Sequence, residues 1–275
     1  MSGLGLTFLR RGNLAHPTAG SDYIKFADEA VFNILVSKGV SSDGVGITKD
    51  DAAKVTSVGT WFQGNKVITA FPEFQYFTSC TSLAQYAFDG CTSLQSIDLS
   101  NMKSIDVYAF AGCSQLREIG SLANLVTLGG AAFRECSSLS GEIYMPLLEG
   151  SIANTTFRGT IITKVLSLGK ITKLEFTRAY PGEYNAYPPF YQIGTLEELV
   201  LPETLQSMSN QIFDGCSALK VVKCLAVTPP TIGGNVFRGS SCPIYVPDAS
   251  VDAYKAAANW STYASRIKPL SEYQG

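Results

Sequence analysis

The stretch Phe88-Asp-Gly90-Cys91-Thr-Ser-Leu94-Gln-Ser-Ile97 recurs along this 275-residue chain and decides its fold. Further copies, some of them looser, begin at Phe110, Phe133, Phe157, Phe213 and Phe237. The intervals between these phenylalanines are 22 (88 to 110), 23 (110 to 133), 24 (133 to 157) and 24 (213 to 237) residues. One apolar phrase in each repeat of this length predicts a solenoid, in which every turn packs only on its neighbours.

Within each copy, the Leu and the β-branched residue three positions later are expected to face inward, and the residues beside the latter to face out along a short strand. Stacked turns then form an α/β solenoid with a parallel sheet on one face. The array is predicted to start at Phe62, with two shortened turns because Phe77 and Phe88 are only 11 residues apart (77 to 88). The expected exposed positions include Ser96, Glu118, Glu142, Tyr144, Lys164, Lys173, Glu175, Glu198, Val221 and Lys223. These residues form neither a stripe of one charge nor a run of aromatic rings.

The repeated phrase, together with Leu201-Pro-Glu-Thr-Leu205 leading into Ile212-Phe213, resembles the BspA-type leucine-rich repeats of bacterial surface antigens. The resemblance covers roughly residues 61–247, and Ile244–Pro247 with Tyr254 and Trp260 is similar to the segment that closes such arrays. It implies a leucine-rich repeat fold and a non-enzymatic binding or adhesion role outside the cell, with a host or bacterial protein or a glycan as partner. It carries over no catalytic residue, because the motif is structural.

The segments that flank the repeats predict two caps. Residues 1–20 are expected to be a flexible leader, and 21–58 a helical N-terminal cap that covers the apolar end of the array. In the cap, apolar residues recur at helical spacing between Asp22 and Ser37, and Thr48 begins a second helix with Asp51 at N3. Residues 59–247 then form the repeats, and 248–275 a C-terminal cap with a short helix at about 249–258.

Between the two N-terminal helices, the loop from Asp43 to Asp51 faintly resembles an EF-hand or dockerin calcium loop. A working loop places oxygen ligands at positions 1, 3 and 5, Gly at position 6 and a carboxylate at position 12. Here Val45 precedes Gly46 and Ile47 follows it directly. We therefore expect a degenerate, metal-free loop.

Composition and charge exclude several classes of partner. Only 16% of residues are charged, the net charge is −2 and the pI is about 5.5, which argues against nucleic acid. No apolar run is long enough to predict membrane insertion. The N-terminal charges follow a short apolar stretch, the reverse of a secretory signal. Two locations stay open: the cell surface, or a phage particle in which the chain is a structural or receptor-binding component.

The residues that could carry chemistry are few. Cys80, Cys91, Cys113, Cys136 and Cys216 share one position of the repeat and are expected to be buried thiols, whereas Cys224 and Cys242 are off register and better placed to bond. His16 is the single histidine, which leaves no triad, metal cluster or cofactor site to propose. An enzyme that uses only carboxylates and tyrosines is the weaker alternative.

One insertion interrupts the regular spacing of the repeats. Phe157 and Phe190 are 33 residues apart (157 to 190), about ten more than a turn requires, and the excess is rich in Tyr and Pro. Insertions in solenoids emerge as loops, often on the binding face, and Tyr provides contact area at low entropic cost. The alternative is a lid that covers neighbouring turns. The predicted ligand-binding residues are Tyr180, Tyr184, Tyr187, Phe190 and Tyr191.

Overall fold

The computed structural model of the protein describes residues 22–176 and 187–274. Its α-helices are α1 (Glu29–Ser37), α2 (Lys49–Lys54) and α3 (Val251–Ala256), and its 3₁₀ helices are Pro72–Tyr76, Asp248–Ser250, Trp260–Arg266 and Leu270–Glu272. The strands in chain order are β1 (Ala70–Phe71), β2 (Ser82–Leu83), β3 (Ser96–Ile97), β4 (Ser104–Ile105), β5 (Thr127–Leu128), β6 (Ser140–Tyr144), β7 (Glu149–Ala153), β8 (Ile161–Ser167), β9 (Lys170–Glu175), β10 (Glu198–Leu201), β11 (Ser207–Met208), β12 (Val221–Cys224), β13 (Thr231–Ile232), β14 (Ile244–Val246) and β15 (Ile267–Pro269). No described helix is both long enough and apolar enough to cross a membrane.

The strands stack in parallel, which confirms the predicted solenoid, but they form two columns. The first column contains the pair β1-β3 and the six-stranded order β15-β14-β12-β10-β8-β6. The second contains β2-β4-β5 and β13-β11-β9-β7. Lys173 and Glu175 lie on β9 in the second column, so placing them on one face with Glu198 was wrong. Val221 is buried rather than exposed.

The phenylalanines of the repeat form a continuous stack through the core, as predicted. Successive ring centres are 4.9 to 5.7 Å apart and the planes are within 25° of parallel. This separation is that of offset stacking, which ring quadrupoles favour. Every ring is at most 1% exposed; the members are Phe62, Phe88, Phe110, Phe133, Phe157, Phe190, Phe213 and Phe237.

The left-handed backbone explains why Gly follows Phe two residues later. At this position φ is +71° in Gly90 and +72° in Gly112, a region that favours glycine. The position is left-handed even where Gly is absent, since φ is +57° at Glu135 and +59° at Gln192. The conformation turns the chain at the corner where Gly90 donates its N–H to Ala111 O of the next turn, at 2.7 Å.

The predicted shortened turns at the start of the array are wrong. Phe62 stacks directly on Phe88, with ring centres 4.9 Å apart and planes at 7°, so the first turn spans 26 residues (62 to 88). Phe77 instead meets Phe71 edge-on, at 5.4 Å and 81°. It belongs to an aromatic cluster that fills the N-terminal end of the core.

All seven cysteines are free and buried, including Cys224 and Cys242, which do not bond. The repeat position is confirmed for Cys91, Cys113, Cys136 and Cys216, whose thiols donate to the Phe carbonyl of the preceding turn over 2.9 to 3.3 Å. Cys80 contacts Ser82 O instead, at 3.7 Å, so it is not in register with the others. Burial raises the pKa of the Cys216 thiol to about 12.

The two helices expected before the first repeat are present. α2 has the predicted capping box between Thr48 and Asp51. α1 begins only at Glu29, because the Asp28 side chain caps it and also accepts from Thr69 Oγ1 at 2.8 Å. Beside this contact, Ala27 N–H donates to Glu73 Oε1 at 2.8 Å, while Glu73 Oε2 is buried with no hydrogen-bond partner. Burial raises the pKa of Glu73.

The C-terminal end of the core is closed by α3 and the helix after it. Trp260 is fully buried and donates its indole N–H to Pro230 O at 2.7 Å. Tyr254 packs edge-on against Trp260, at 4.9 Å, and donates its hydroxyl to Ala226 O at 2.7 Å. Trp61, at the other end, is only half-buried.

Candidate binding surface

The loop that resembles a calcium site uses its carboxylates as internal acceptors. Asp43 accepts from the Tyr23 hydroxyl, from Val45 N–H at 2.8 Å and from Ser41 Oγ at 3.1 Å. The hydrogen bond from Tyr23, followed by the backbone donors, holds the pKa of Asp43 far below its usual range. Asp51 accepts from Thr48. The described residues contain no cluster of three His, Cys, Asp or Glu side chains that could hold a metal ion.

The predicted aromatic loop is only partly described. Tyr180 and Tyr184 lie outside the described residues. The prediction that Phe190 takes part in binding is wrong, because its ring has no exposed surface and stacks between Phe157 and Phe213. Phe190 was not recognised as a member of the stack because it follows Phe157 by 33 residues, whereas the regularly spaced members were identified by intervals of 22 to 24 residues.

Tyr187 and Tyr191 form a stacked pair at the end of the insertion. Their ring centres are 5.0 Å apart, the planes are at 16°, and both side chains are half-buried. Tyr187 O accepts from Thr155 N–H at 2.8 Å, and Pro189 O accepts from Phe157 N–H at 3.0 Å. The backbone of this segment is therefore joined to the preceding turn in the same way as in the regular turns, and it holds the two rings in place.

An arginine from the preceding turn lies over the Tyr187 ring of this pair. The Arg158 guanidinium is 4.4 Å from the centre of the Tyr187 ring, within the range of a cation–π contact. Arg158 Nη1 also lies 2.7 Å from Glu135 Oε1 of the turn before. On the other side, Gln192 Nε2 donates to the Tyr191 hydroxyl at 3.3 Å. We call Glu135, Arg158, Tyr187, Tyr191 and Gln192 the tyrosine surface.

Sequence reasoning missed Glu135 and Arg158. Aligning the turns on their phenylalanines would have found them, because Glu135 follows Phe133 by two residues and Arg158 follows Phe157 directly. The tyrosine surface offers ring faces, a guanidinium and an amide, which can stack on and hydrogen-bond a flat or amphipathic ligand.

The outer face of the first column carries ion pairs between adjacent strands. Lys164 Nζ lies 2.7 Å from Glu142 Oε1, and Lys223 Nζ lies 2.9 Å from Glu198 Oε1. Lys223 also lies 3.9 Å from the centre of the Tyr273 ring. These pairs alternate acidic and basic side chains along the face, in agreement with the expectation that it lacks a stripe of one sign.

The described architecture is that of a leucine-rich repeat solenoid, with parallel strands stacked turn by turn over a phenylalanine core. The chain belongs to the BspA-type leucine-rich repeat family, whose model matches it in six copies over residues 66–178 and 187–258. The match confirms the resemblance seen in the repeated phrase.

Two solved structures are similar to the chain. A leucine-rich repeat protein from Bacteroides ovatus matches 62% of this chain and 47% of its own, at 20% identity and a TM-score of 0.45. A leucine-rich cell surface protein from Faecalibacterium prausnitzii matches 68% of this chain and 62% of its own, at 21% identity and a TM-score of 0.33. The chain thus spans less than two thirds of either protein. The search of curated proteins found no significant match.

Proposed function

We propose that this protein is a non-enzymatic binding or adhesion protein of a bacterial cell surface, which recognises a protein or a glycan through the tyrosine surface. Family membership supports the surface location and the binding role, because BspA-type repeats occur in bacterial surface antigens and the family is generally non-enzymatic. The observation that carries the proposal is the stacked, half-buried pair Tyr187 and Tyr191, with Arg158 over the Tyr187 ring.

The chemistry of this surface suits a weakly charged chain. Tyrosine rings bind sugar faces or peptide side chains without requiring net charge, and Tyr and Arg are enriched among binding hot spots. The rings are held by stacking and by the backbone bonds to Thr155 and Phe157, so little side-chain entropy remains to be lost on binding.

Screening the protein against arrays of glycans and of host and bacterial surface proteins tests the proposal. Replacing both Tyr187 and Tyr191 with Ala should abolish the strongest interaction and leave the melting temperature close to that of the parent. A matched control exists in Tyr86 and Tyr108, a second half-buried pair stacked at 5.4 Å and 15°. Their double Ala variant should bind normally. If both variants bind equally well, or if the first loses stability and keeps binding, the tyrosine surface is structural.

A further inference from the structure

The strand ladders of both columns end between the turn that begins at Phe110 and the turn that begins at Phe133, although a backbone hydrogen bond from Glu149 N–H to Val126 O still crosses this junction in the second column. The first column divides into a part that ends at the bridge between Ser96 and Glu118 and a part that begins at β6. The second divides between β5 and β7. The six other junctions between the described Phe-centred turns show no such division of both columns, so the interruption is a local feature of one junction.

The first column lacks its usual backbone hydrogen bonds between turns at this junction. In other turns the residue after the inward Leu donates its N–H to the preceding turn: Arg117 to Gln95 O at 2.9 Å, and Lys220 to Glu197 O at 2.8 Å. Ser140 is the equivalent residue of the next turn. Within the described chain, no backbone hydrogen bond joins Ser140–Tyr144 to Arg117–Leu122. One edge of β6 is therefore unpaired.

An extra residue in β6 explains the interruption. The buried Leu139 and Ile143 are four residues apart (139 to 143), whereas Leu116 and Ile119 of the preceding turn are three apart (116 to 119). Gly141 lies between them with φ of +87°, and next to it the pairing of β6 with β8 shifts register, because the ladder passes from Gly141–Ile162 to Glu142–Lys164 and skips Thr163 of β8. An extra residue beside a left-handed glycine bends a strand away from its neighbour, as a β-bulge does.

The two turns stay joined at their other corners. Gly112 N–H donates to Arg134 O at 2.8 Å on the phenylalanine side, and Glu149 N–H donates to Val126 O at 2.9 Å in the second column. The separation of the turns is thereby confined to the first column, where it forms a cleft of about 480 Å³. Residues 117–122 line one wall of the cleft and 139–144 the other.

The side chains of the cleft combine an apolar floor with charged walls, which carry Glu118 and Glu142 and also Arg117, whose Nη2 donates to Gln115 Oε1 at 3.3 Å. Ile119, Leu122 and Leu139 are buried beneath it, and Tyr144 stands at its rim with 53% of its surface exposed. Glu118 is exposed and has no ion-pair partner among the described residues. Across the cleft, Glu142 lies on β6 and forms an ion pair with Lys164.

We propose that this cleft binds an extended peptide segment of another protein, which adds a strand to the free edge of β6 and places a Lys or Arg side chain between Glu118 and Glu142. A free strand edge offers N–H and C=O groups at the spacing of an extended main chain, which a peptide matches and a glycan does not. The apolar floor accepts alternate side chains, and the carboxylates of Glu118 and Glu142 select a basic one. The site is separate from the tyrosine surface and does not rest on its role.

The first test uses a fluorescently labelled eight-residue peptide of alternating Val and Lys, with fluorescence anisotropy as the measurement. A Val-Glu peptide and a peptide in which alternate Val residues are Pro serve as controls. The Val-Lys peptide should bind and protect the amide protons of β6 against hydrogen exchange, and both controls should bind at least about fivefold more weakly. Equal binding of the Pro peptide, or unchanged exchange in β6, would overturn the proposal. So would protection of β6 that depends only on protein concentration, because the occupant would then be a second copy of this chain.

Variants of the cleft provide the second test. Ser140→Pro removes an N–H that bonds to none of the described residues 117–122 of the preceding turn, so the variant should fold and bind the Val-Lys peptide about fivefold more weakly. Glu118→Lys should weaken binding to a similar extent, while Glu203→Lys, at another exposed glutamate, should not. If Ser140→Pro does not fold, Glu118→Lys and its control decide alone. Undiminished binding by Glu118→Lys refutes the basic-residue pairing, whereas loss of binding by the Tyr187 and Tyr191 variant would locate the peptide on the tyrosine surface instead.

Discussion

Replacing Phe110 with Ala should destabilise the whole array, because the ring lies in the middle of the phenylalanine stack. Phe110 has no exposed surface and lies between Phe88, at 5.2 Å, and Phe133, at 5.4 Å, with planes at 7° and 1°. Its removal deletes two ring contacts and leaves a cavity between two parallel rings.

The size of the loss follows from how little this cavity can close. Phe110 N–H is bonded to Ala132 O at 2.8 Å and Gly112 N–H to Arg134 O at 2.8 Å, so the backbone of the turn is held in place. Truncating a buried Phe under such conditions lowers the free energy of unfolding by about 3 to 5 kcal/mol. In a chain of this size, each kcal/mol corresponds to about 2 to 4 °C in melting temperature, and the expected fall is therefore about 6 to 20 °C.

Thermal and urea unfolding followed by circular dichroism measure this loss. Val67→Ala is the matched control, since the Val67 side chain is 69% exposed and its truncation should change the unfolding free energy by less than about 0.5 kcal/mol. A Phe110→Ala protein that melts together with the parent and the control would refute the continuous stack.

Three further predictions concern thiols, calcium and pH. Cys136 should resist a thiol reagent in the native protein and react only after unfolding, because burial raises its pKa; rapid native labelling would contradict this. Millimolar calcium should leave the melting temperature unchanged, since Asp43 and Asp51 are occupied by internal donors, whereas a site saturated at 100 times its Kd would add about 2.7 kcal/mol. Glu73 has a raised pKa in the folded state, so its contribution to stability is present at low pH and is lost as the pH rises through the folded pKa. Asp28 has a lowered pKa, so its contribution is lost as the pH falls through the folded pKa. Glu73→Gln should therefore flatten the stability profile above about pH 4.5, and a profile identical to that of the parent would refute this account.

The repeated phrase was enough to predict the solenoid and its core. A turn that contacts only its neighbours encodes its packing in local sequence, so the Phe and the inward Leu of the regularly spaced turns could be assigned from spacing alone. The same locality made the capping box at Thr48 and Asp51 predictable, because a cap depends on residues within one helical turn.

Predictions failed where the interval between equivalent residues changed. Phe190 follows Phe157 by 33 residues and was assigned to a binding loop, although its ring belongs to the core. Phe77 and Cys80 have the residue types of the repeat but contact other groups. Spacing identifies a residue with a position of the repeat only where no insertion lies between consecutive copies. The sequence does not show at which residue an insertion starts or ends.

The sequence by itself determined a leucine-rich repeat array of the BspA type, since the free energy of such a fold comes from short contacts repeated in register. Only the tertiary structure decided the features that depend on contacts between turns. These are the second column of strands, the position of Arg158 over Tyr187, and the cleft beside β6. These features depend on how each turn is placed on the one before it. A single additional residue near Gly141 changes that placement, and its effect on the backbone hydrogen bonds becomes visible only when the turns are stacked.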